Sequence, residues 1–468
     1  MLQKLNRTTA KVAADRPVKV LQFGEGNFLR AFADWVIDIL NEKTDFNGNI
    51  QIVQPLKNGL GNMINAQEGL YHVVLNGIQN GKPMQETRLI TSVNGVINPY
   101  ESFQQYLQTA ENPDLKFVIS NTTEAGITFA AADADPNTLP DSFPGKLTVL
   151  LYHRYKFFNG AADKALTLVP CELIEKNGDA LRSTILQYIN HWNLPNGFKE
   201  WIEKHTAFCN TLVDRIVPGF PKDTIQDIHN AIGYEDNLVV TAEPFHLWVI
   251  EAPESMQREF PAEKAGLQVK FVKDLTPYRT RKVRILNGAH TALVPVAYLR
   301  GLRTVREAVE DSYAGDFIRK AIFEEIIPTL DLPAAELQQF ANDVIERFQN
   351  PFIRHELISI SLNSVSKYQV RVLPSVIEYH KRTGKLPVRL LQSLAALIQF
   401  YKGEHDGTAI PLNDTPEVLA FFKEIWKSND PAQAVQKTLA HKEFWNVDLT
   451  AIPGVETTVL KSISGVTA

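Results

Sequence analysis

The sequence predicts an α/β half over residues 1–270, followed by a mostly α-helical half over residues 271–468. Three observations support this prediction. A strand, a glycine turn, a helix and a second strand follow one another between residues 18 and 53. Further short apolar strands recur as far as residue 241. From residue 282 onward, helical periodicity dominates. Two halves of different character are the simplest arrangement for this order of elements.

Length, charge and cysteine content exclude several classes of protein. At 468 residues the chain exceeds one ordinary hydrophobic core, so two or three domains are expected. The formal net charge is −5 and no basic block occurs, which argues against a nucleic-acid surface. No run approaches the roughly 18 apolar residues of a membrane helix, and the N-terminus lacks the apolar core of a secretory signal. Cys171 and Cys209 are too few for a disulfide framework. We therefore expect a cytoplasmic protein without a nucleic-acid or membrane partner.

The first predicted element is a largely apolar strand at Val18–Phe23. The turn Gly24-Glu25-Gly26-Asn27 follows, and a helix is predicted to begin near Phe28. Ile50–Val53 is a second, β-branched strand, so the segment forms a βαβ unit of ordinary length. The apolar face of the helix recurs at spacings of three and four and comprises Leu29, Phe32, Ala33, Val36, Ile39 and Leu40.

The later elements follow the same criteria. Strands are predicted at Lys116–Ser120, Leu166–Pro170 and Asn237–Thr241, where short apolar runs are bounded by polar residues. Ala334–Phe348 and Pro387–Tyr401 carry the apolar spacing of amphipathic helices. The change from strands to helices places the boundary between the two halves near residue 270.

The glycine turn points to a dinucleotide. Backbone N–H groups of such a turn can approach a pyrophosphate, and Gly24 and Gly26 supply the first two glycines of the Rossmann fingerprint. The third position is Leu29, so a tight turn without a ligand is an equal alternative on these residues alone. The second strand ends without the acid that usually binds the ribose 2′-hydroxyl. Gln54 could bind that hydroxyl and Lys57 could tolerate a phosphate, which leaves NAD and NADP both open. Residues 1–270 are thus predicted to form a Rossmann-type nucleotide-binding domain.

The segment Tyr278–His290 carries the candidate chemistry. On a uniform α-helix, Lys282, Asn287 and His290 lie at about 0°, 140° and 80° around the axis, on one side. Burial and neighbouring cations lower the pKa of a lysine and let it exchange a proton near neutral pH. An asparagine amide can donate to a developing oxyanion, and a histidine can orient a substrate hydroxyl. A solvated helix face with these three residue types is the alternative.

The pattern Lys-x-x-x-x-Asn-x-x-His, at Lys282, Asn287 and His290, resembles the signature of the mannitol dehydrogenase family of polyol-specific long-chain dehydrogenases. Four further segments are similar to that family, and the matches run from about residue 18 to residue 374. These segments are the loop Gly24-x-Gly26-x-Phe28-x-Arg30-Ala31, Thr123-Glu124-x-Gly126, the Asn-x-x-Val-Asp-Arg-Ile-x-Pro stretch over 210–218, and Glu243-Pro244-Phe245.

The resemblance implies an NAD-dependent oxidoreductase that needs no metal. It also implies a lysine general acid/base and an oxyanion hole of two asparagines, of which the second is Asn210. The implied catalytic residues are Lys282, Asn210, Asn287 and His290. The predicted cofactor-binding residues are Gly24, Gly26, Asn27, Phe28, Arg30, Gln54, Thr123 and Glu124.

Within the family, the segments 23–32 and 243–251 look most like the members that act on a sugar acid. This resemblance implies reduction of the keto group of D-tagaturonate to D-altronate with NADH, in hexuronate catabolism. Arg279 stands where the polyol enzymes carry an acid, and it is predicted to bind the substrate carboxylate by two parallel hydrogen bonds. Lys367 is a second candidate for that carboxylate. Glu172-Leu173 stands where the polyol enzymes have an Asp-Asn pair.

Other functions stay open at this point. Within the same class, a fructuronate reductase or a mannitol-type polyol dehydrogenase is the alternative. From other classes, a sugar-acid isomerase that holds NAD tightly and a binding protein without catalysis are possible. An intact set of Lys282, Asn287, His290 and Asn210 argues against the binding protein. The oligomeric state is left open by the sequence.

Overall fold

A computed structural model describes residues 2–13, 16–122 and 126–465, and the chain divides into two compact units. The first unit comprises Met1–Asn76 and Pro83–Leu275. The second comprises Thr276–Ala468 together with the short excursion Gly77–Lys82.

Among the described residues, all but two of the strands belong to the first unit. They are β1 (Gln3–Lys4), β2 (Val18–Phe23), β3 (Asn49–Val53), β4 (Tyr71–Gln79), β5 (Lys82–Ile90), β6 (Val93–Ile97), β7 (Phe117–Ser120), β8 (Thr167–Pro170), β9 (Ala207–Phe208), β10 (Asn210–Asp214), β11 (Tyr234–Glu235), β12 (Val240–Ala242), β13 (Leu247–Glu251) and β14 (Val269–Val272). Its helices are α1 (Asn27–Arg30), α2 (Ala33–Lys43), α3 (Gly61–Ala66), α4 (Phe103–Gln108), α5 (Phe143–Phe157), α6 (Asn177–His191), α7 (Asn196–His205), α8 (Ile225–Ile232) and α9 (Glu254–Glu259), with short 3₁₀ turns at Thr109–Glu111 and Ala162–Lys164.

A six-stranded sheet forms the centre of this unit, in the order β6-β3-β2-β7-β8-β9 with every pair parallel. This is the doubly wound strand order of a dinucleotide-binding sheet. The chain adds strands outward from β2 to β6 on one side and from β7 to β9 on the other, so the order of addition reverses between β2 and β7. In such a sheet, ligands bind beyond the carboxyl ends of the strands at the point of reversal. The predicted α/β nucleotide-binding fold is confirmed.

Both faces of the central sheet are buried. On β2, Val20 belongs to the apolar cluster on one face, while Leu21 and Phe23 belong to the cluster on the other. On β3, Ile52 and Val53 divide in the same way. Helices cover a parallel sheet on both sides, which explains why these strands are nearly continuous apolar runs.

The predicted helix after the glycine turn is wrong in one respect, because it breaks at Ala31 and Phe32 into α1 and α2. The guanidinium of Arg215 donates to the Ala31 carbonyl at 2.8 Å, and the Tyr71 hydroxyl donates to the Arg30 carbonyl at 3.3 Å. Phe32 has φ −126° and ψ −77°, outside the helical region. Side chains that are distant in sequence thus interrupt the helix.

The predicted strand Asn237–Thr241 is shorter and later than expected. The structure forms β12 at Val240–Ala242, and β12 pairs with β4 in a separate three-stranded sheet with β5. The backbone N–H of Asn237 donates to the Gln67 side chain, and that of Leu238 to the Asp236 carboxylate. Because side chains accept these two N–H groups, no neighbouring strand pairs with them.

Three smaller sheets complete the strand pairing. β10, β13 and β14 form one sheet in that order, and β1 pairs with β11. The third is the hairpin of β15 (Glu404–His405) and β16 (Thr408–Ala409), which belongs to the second unit.

The second unit is mostly helical, as predicted. Its helices are α10 (Thr276–Arg281), α11 (Gly288–Leu299), α12 (Val305–Glu310), α13 (Ser312–Lys320), α14 (Ala334–Phe348), α15 (Leu357–Ile360), α16 (Ser364–Arg371), α17 (Leu373–Thr383), α18 (Val388–Phe400), α19 (Pro416–Ile425), α20 (Pro431–Leu439), α21 (Lys442–Trp445) and α22 (Val455–Gly465). Two π-helical segments, Lys282–Asn287 and Ala321–Ile326, and 3₁₀ turns at Ile327–Thr329 and Leu449–Ala451 complete it. In the described part of the chain, no helix has the length and apolarity needed to cross a membrane.

Candidate active site

The glycine turn of the first unit leaves room for a ligand. Gly24 has φ +120°, a conformation that side chains rarely adopt, and a Cβ there would lie 3.2 Å from the Asn121 carbonyl oxygen. Around a Cβ placed on Gly26, by contrast, no atom lies within 4 Å. The backbone of Gly26 therefore borders open space beyond β2, next to the reversal point of the sheet. This arrangement fits the pyrophosphate of a dinucleotide.

Arg30 points into the protein and holds the turn in place. Its Nε donates to the Glu25 carbonyl at 3.1 Å, Nη1 donates to the Leu238 carbonyl, and Nη2 donates to Asn27 Oδ1 at 2.8 Å. Burial lowers the pKa of Arg30, and the nearby Tyr71 and carboxylates oppose that effect. The structure thus gives Arg30 a role in shaping the loop, through the backbone rather than by an exposed charge.

Asn27 and Phe28 lie beside Arg30 on α1. A Cβ on Gly219 would lie only 2.6 Å from Asn27 Nδ2, so the asparagine packs directly against that glycine. The Phe28 ring stacks on Phe32 with 4.9 Å between ring centroids. Both side chains therefore help to fix the start of the helix that follows the turn.

Gln54 is bound to its own loop. Its Nε2 donates to the carbonyls of Leu56 and Lys57 at 2.8 and 3.1 Å, and its Oε1 accepts the N–H of Gly61 at 3.2 Å. The side chain is buried. With both ends of the amide used in this way, Gln54 supports the loop after β3. Because both Nε2 N–H bonds are used within the loop, a ribose hydroxyl could bind Gln54 only by donating to Oε1, and its binding there stays a prediction.

Sequence reasoning missed Glu25, which lies between the two glycines. Its Oε1 accepts the N–H of Leu60 at 3.3 Å, and a Cβ on Gly59 would lie 2.0 Å from the same oxygen. Burial raises the pKa of Glu25, while hydrogen bonds from the backbone and the charge of Arg30 act against the rise. Its position between the two glycines of the fingerprint is the sequence feature that could have identified Glu25 as a candidate site residue.

The loop after β7 contains Thr123 and Glu124, which lie outside the described residues. The preceding Thr122 donates from its N–H and its hydroxyl to Glu172 Oε1, both at 3.0 Å. Ser120 donates to the other oxygen of Glu172 at 3.1 Å. Burial raises the pKa of Glu172. The residue that departs from the polyol enzymes therefore ties the carboxyl ends of β7 and β8 together.

Asn210 begins β10 and is buried in the first unit. Its Nδ2 donates to Asp179 Oδ2 at 3.3 Å and to Glu251 Oε1 at 3.2 Å, and its Oδ1 accepts the Asp179 N–H at 3.1 Å. Glu251 is the partner of Asn210 in the pairing of β10 with β13. Both amide N–H bonds are thus directed at carboxylates, and an oxyanion would have to displace one of them.

In the second unit, the signature segment is a π-helix over Lys282–Asn287. The Gly288 N–H donates to the Val283 carbonyl, five residues earlier, where an α-helix would bond four residues earlier. The predicted angles of a uniform α-helix are therefore wrong. An i to i+5 repeat brings Lys282 and Asn287 one turn apart on the same side of the helix. π-helical turns within α-helices are rare and frequently occur at functional sites.

Close packing against α16 accompanies this turn. A Cβ on Gly288 would lie 2.9 Å from the carbonyl oxygen of Arg371, so a larger residue would push α16 away. Thr291 donates from its hydroxyl to the Asn287 carbonyl at 2.9 Å. These contacts fix the backbone on the C-terminal side of Lys282 and Asn287.

Aromatic rings hold His290. Its imidazole stacks on Phe348 with 4.0 Å between centroids and 17° between planes. His355 meets it edge-on at 5.1 Å, and burial lowers the pKa of His355. A ring confined between two others has little rotational freedom, which suits a residue that orients a substrate.

Three arginines flank Lys282 in the second unit. Arg281 donates to Glu336 at 2.8 Å, and Arg284 donates to the Ser375 hydroxyl at 3.0 Å. Arg279 is half-buried and lies on α10, which continues directly into the π-helix.

Lys367 lies on α16 in the same unit. Its ammonium donates to the Ile360 carbonyl at 2.9 Å, and burial together with the charge of Arg371 lowers the pKa of Lys367. One of the three N–H bonds of this candidate carboxylate ligand is therefore used inside the protein.

Known proteins match the chain over its whole length. Residues 18–264 match the model of the mannitol dehydrogenase Rossmann domain, and residues 274–466 match that of the mannitol dehydrogenase C-terminal domain. An altronate oxidoreductase from Phocaeicola vulgatus is 48% identical over 467 residues, which are 99% of this chain and 97% of that protein. One from Yersinia enterocolitica is 46% identical over 468 residues, with the same coverage. One from Bacillus subtilis is 48% identical over 454 residues, which are 97% and 93%.

Solved structures share the fold at lower identity. D-sorbitol dehydrogenase in its substrate-free form superposes with a TM-score of 0.83 at 23% identity, and each chain is covered completely. The ternary complex of Pseudomonas fluorescens mannitol 2-dehydrogenase with NAD and D-mannitol gives 0.68 at 22% identity, covering 99% of this chain and 96% of the other. With both halves matched by the family models, the chain belongs to the mannitol dehydrogenase family and is an oxidoreductase that acts on CH–OH groups with a nicotinamide dinucleotide.

Proposed function

We propose that this chain is a tagaturonate reductase, or altronate oxidoreductase, which uses NADH to reduce the keto group of D-tagaturonate to D-altronate. The observation that carries the proposal is the 48% identity to an altronate oxidoreductase over 99% of the chain. The two free cysteines, Cys171 and Cys209, are both buried and suit the reducing cytoplasm, where we place the enzyme.

The dinucleotide, when bound, supplies a hydride to the keto carbon. Gly24 and Gly26 would hold its pyrophosphate, because the turn has a glycine-only conformation at one position and open space at the other. Arg30 keeps that turn in shape through its bonds to the Glu25 carbonyl and the Asn27 side chain. These residues bind and orient, and take no part in proton transfer.

Lys282 would deliver the proton that the reduction requires. As the keto carbon gains the hydride, its oxygen gains negative charge, and the Lys282 Nζ–H would protonate it to give the hydroxyl of altronate. Asn287 would donate its amide N–H to the same oxygen, one π-helical turn away from Lys282. His290, held by Phe348 and His355, would orient a neighbouring hydroxyl. Asn210 would serve as a second donor after exchanging a carboxylate partner for the oxyanion.

Arg279 would bind the carboxylate of the sugar acid. It stands three residues before Lys282 on a continuous helix, so the two side chains project to neighbouring positions. Of the three arginines that flank Lys282, Arg279 is the one at the position where the polyol enzymes carry an acid. A guanidinium can donate two parallel hydrogen bonds to a carboxylate. A neutral polyol has no carboxylate to accept them. Lys367 would be the supporting cation.

The test is NADH consumption at 340 nm with D-tagaturonate, D-fructuronate and D-fructose as parallel substrates. We expect one NADH oxidised per tagaturonate converted to altronate, and a lower kcat/KM for the other two. A preference for fructuronate or fructose would overturn the substrate assignment. Conversion of tagaturonate to another keto acid, with the NADH absorbance unchanged, would mean that the enzyme is an isomerase.

A further inference from the structure

The carboxylate of Glu25 lies where a doubly wound sheet usually presents the acid that binds the adenosine ribose. That acid normally follows the second strand of the nucleotide-binding unit, which is β3 here. The residues after β3 run Gln54-Pro55-Leu56-Lys57-Asn58-Gly59-Leu60-Gly61 and include no acid. β2 and β3 are parallel neighbours, so Glu25, just after β2, lies beside this loop.

Contacts within the first unit place the Glu25 side chain against the loop after β3. Its Oε1 accepts the Leu60 N–H at 3.3 Å, and Gly59 approaches so closely that any Cβ there would lie 2.0 Å from that oxygen. Gln54 holds the same loop from its other side through Leu56, Lys57 and Gly61. Gln54 shapes the loop, and Glu25 supplies its negative charge.

A carboxylate at this position discriminates between the two dinucleotides. A ribose 2′-hydroxyl can donate a hydrogen bond to it, whereas the 2′-phosphate of NADP carries negative charge that it repels. Lys57, which is exposed in the same loop, would attract the 2′-phosphate and so favour NADP(H). From these contacts we propose that Glu25, inside the glycine turn, is the residue that selects NAD(H) over NADP(H). This inference rests on the dinucleotide chemistry proposed above.

The test measures binding without catalysis. ADP-ribose and 2′-phospho-ADP-ribose, which lack the nicotinamide, are titrated into the full-length chain by isothermal calorimetry. For the unaltered protein, we expect at least tenfold tighter binding of ADP-ribose. Glu25→Gln keeps an oxygen to accept the Leu60 N–H and removes the charge, so the preference should shrink at least tenfold. Glu25→Asp, which keeps the charge, should retain the preference for ADP-ribose.

Glu42→Gln is the matched control, because it removes one carboxylate from the same unit at an exposed position of α2 that is paired with Arg88. It should leave the binding ratio unchanged. If Glu25→Gln weakens the binding of both ligands equally and keeps the ratio of their affinities, Glu25 only supports the loop and the inference is overturned. Tighter binding of the 2′-phosphate by the unaltered protein would overturn it as well. Binding of neither ligand would overturn the dinucleotide proposal itself, whereas loss of tagaturonate reduction alone leaves this test intact.

Discussion

Asp34 lies in the first turn of α2, and replacing it by asparagine should remove a pH dependence of stability. The Asp34 carboxyl is completely buried and accepts the Tyr71 hydroxyl at 2.5 Å. Burial raises its pKa from 3.8 to about 7; the hydrogen bonds from Tyr71 and Gln22 and the charge of Arg30 act against the rise, and Asp38 adds to it. Between these two values, the folded chain holds a proton that the unfolded chain has released.

The sign and size of the effect follow from this difference. A raised carboxyl pKa stabilises the folded state at low pH. This contribution to the free energy of unfolding is fully present below pH 4 and is lost as the pH rises through about 7. At about 1.4 kcal/mol per pKa unit, raising the pH from 5 to 8 should cost the unaltered first unit about 3 kcal/mol through this group. Asp34→Asn is neutral at every pH and escapes that loss.

Differential scanning calorimetry between pH 5 and pH 8 measures the effect. We expect the thermal midpoint of the Asp34→Asn variant to rise by several degrees relative to the unaltered protein across this range. A difference in thermal midpoint that is the same at every pH does not test the prediction. Such a difference reflects the hydrogen bonds that the new side-chain amide gains or loses. Asp45→Asn, at an exposed position just after α2, controls for the loss of one charge. If the thermal midpoints of Asp34→Asn and of the unaltered protein change in parallel from pH 5 to pH 8, the Asp34 carboxyl does not cause the pH dependence and the prediction is refuted.

The proposed chemistry makes three further predictions. Lys282→Ala should abolish turnover while NADH binding, followed by nicotinamide fluorescence, survives; near-normal reduction at neutral pH would contradict the proton-donor role. Asn287→Ala should lower kcat by about 100-fold or more with little change in KM, and a change confined to KM would limit Asn287 to substrate binding. Arg279→Glu should lower kcat/KM for tagaturonate far more than for fructose, with Arg306→Glu, an exposed charge reversal on α12, as the control. Equal losses on both substrates would show that Arg279 supports the helix and binds no carboxylate.

The parts of the fold that the sequence predicted well depend on local pattern. β2 has the predicted bounds, Val18–Phe23, because both of its faces are buried and the glycine turn ends it. α14 also has the predicted bounds, Ala334–Phe348. The break between α1 and α2 depends on Arg215, which lies far along the chain and donates to the Ala31 carbonyl. A local pattern contains no information about such a partner.

The candidate site divides in the same way. The residue types of the signature segment could be identified from spacing and resemblance, whereas its π-helical geometry could not. That geometry is accompanied by close packing of Gly288 against the Arg371 carbonyl, a contact between residues more than 80 positions apart. Likewise, a strand-end pattern pointed to Gln54, but three backbone groups of its own loop occupy that amide. The acid of that loop comes from Glu25, on the neighbouring strand end.

The excursion Gly77–Lys82 affects the order in which the protein can be completed during synthesis. These residues form the tip between β4 and β5, yet they belong to the second unit, where the Gly81 N–H donates to Glu346 at 3.2 Å. At typical ribosomal rates, the tip leaves the ribosome roughly 15 to 50 seconds before Glu346 does. The tip between β4 and β5 therefore cannot form this hydrogen bond until Glu346 has been synthesised. A gene split between codons 275 and 276 would likewise encode a second unit that lacks one of its own segments.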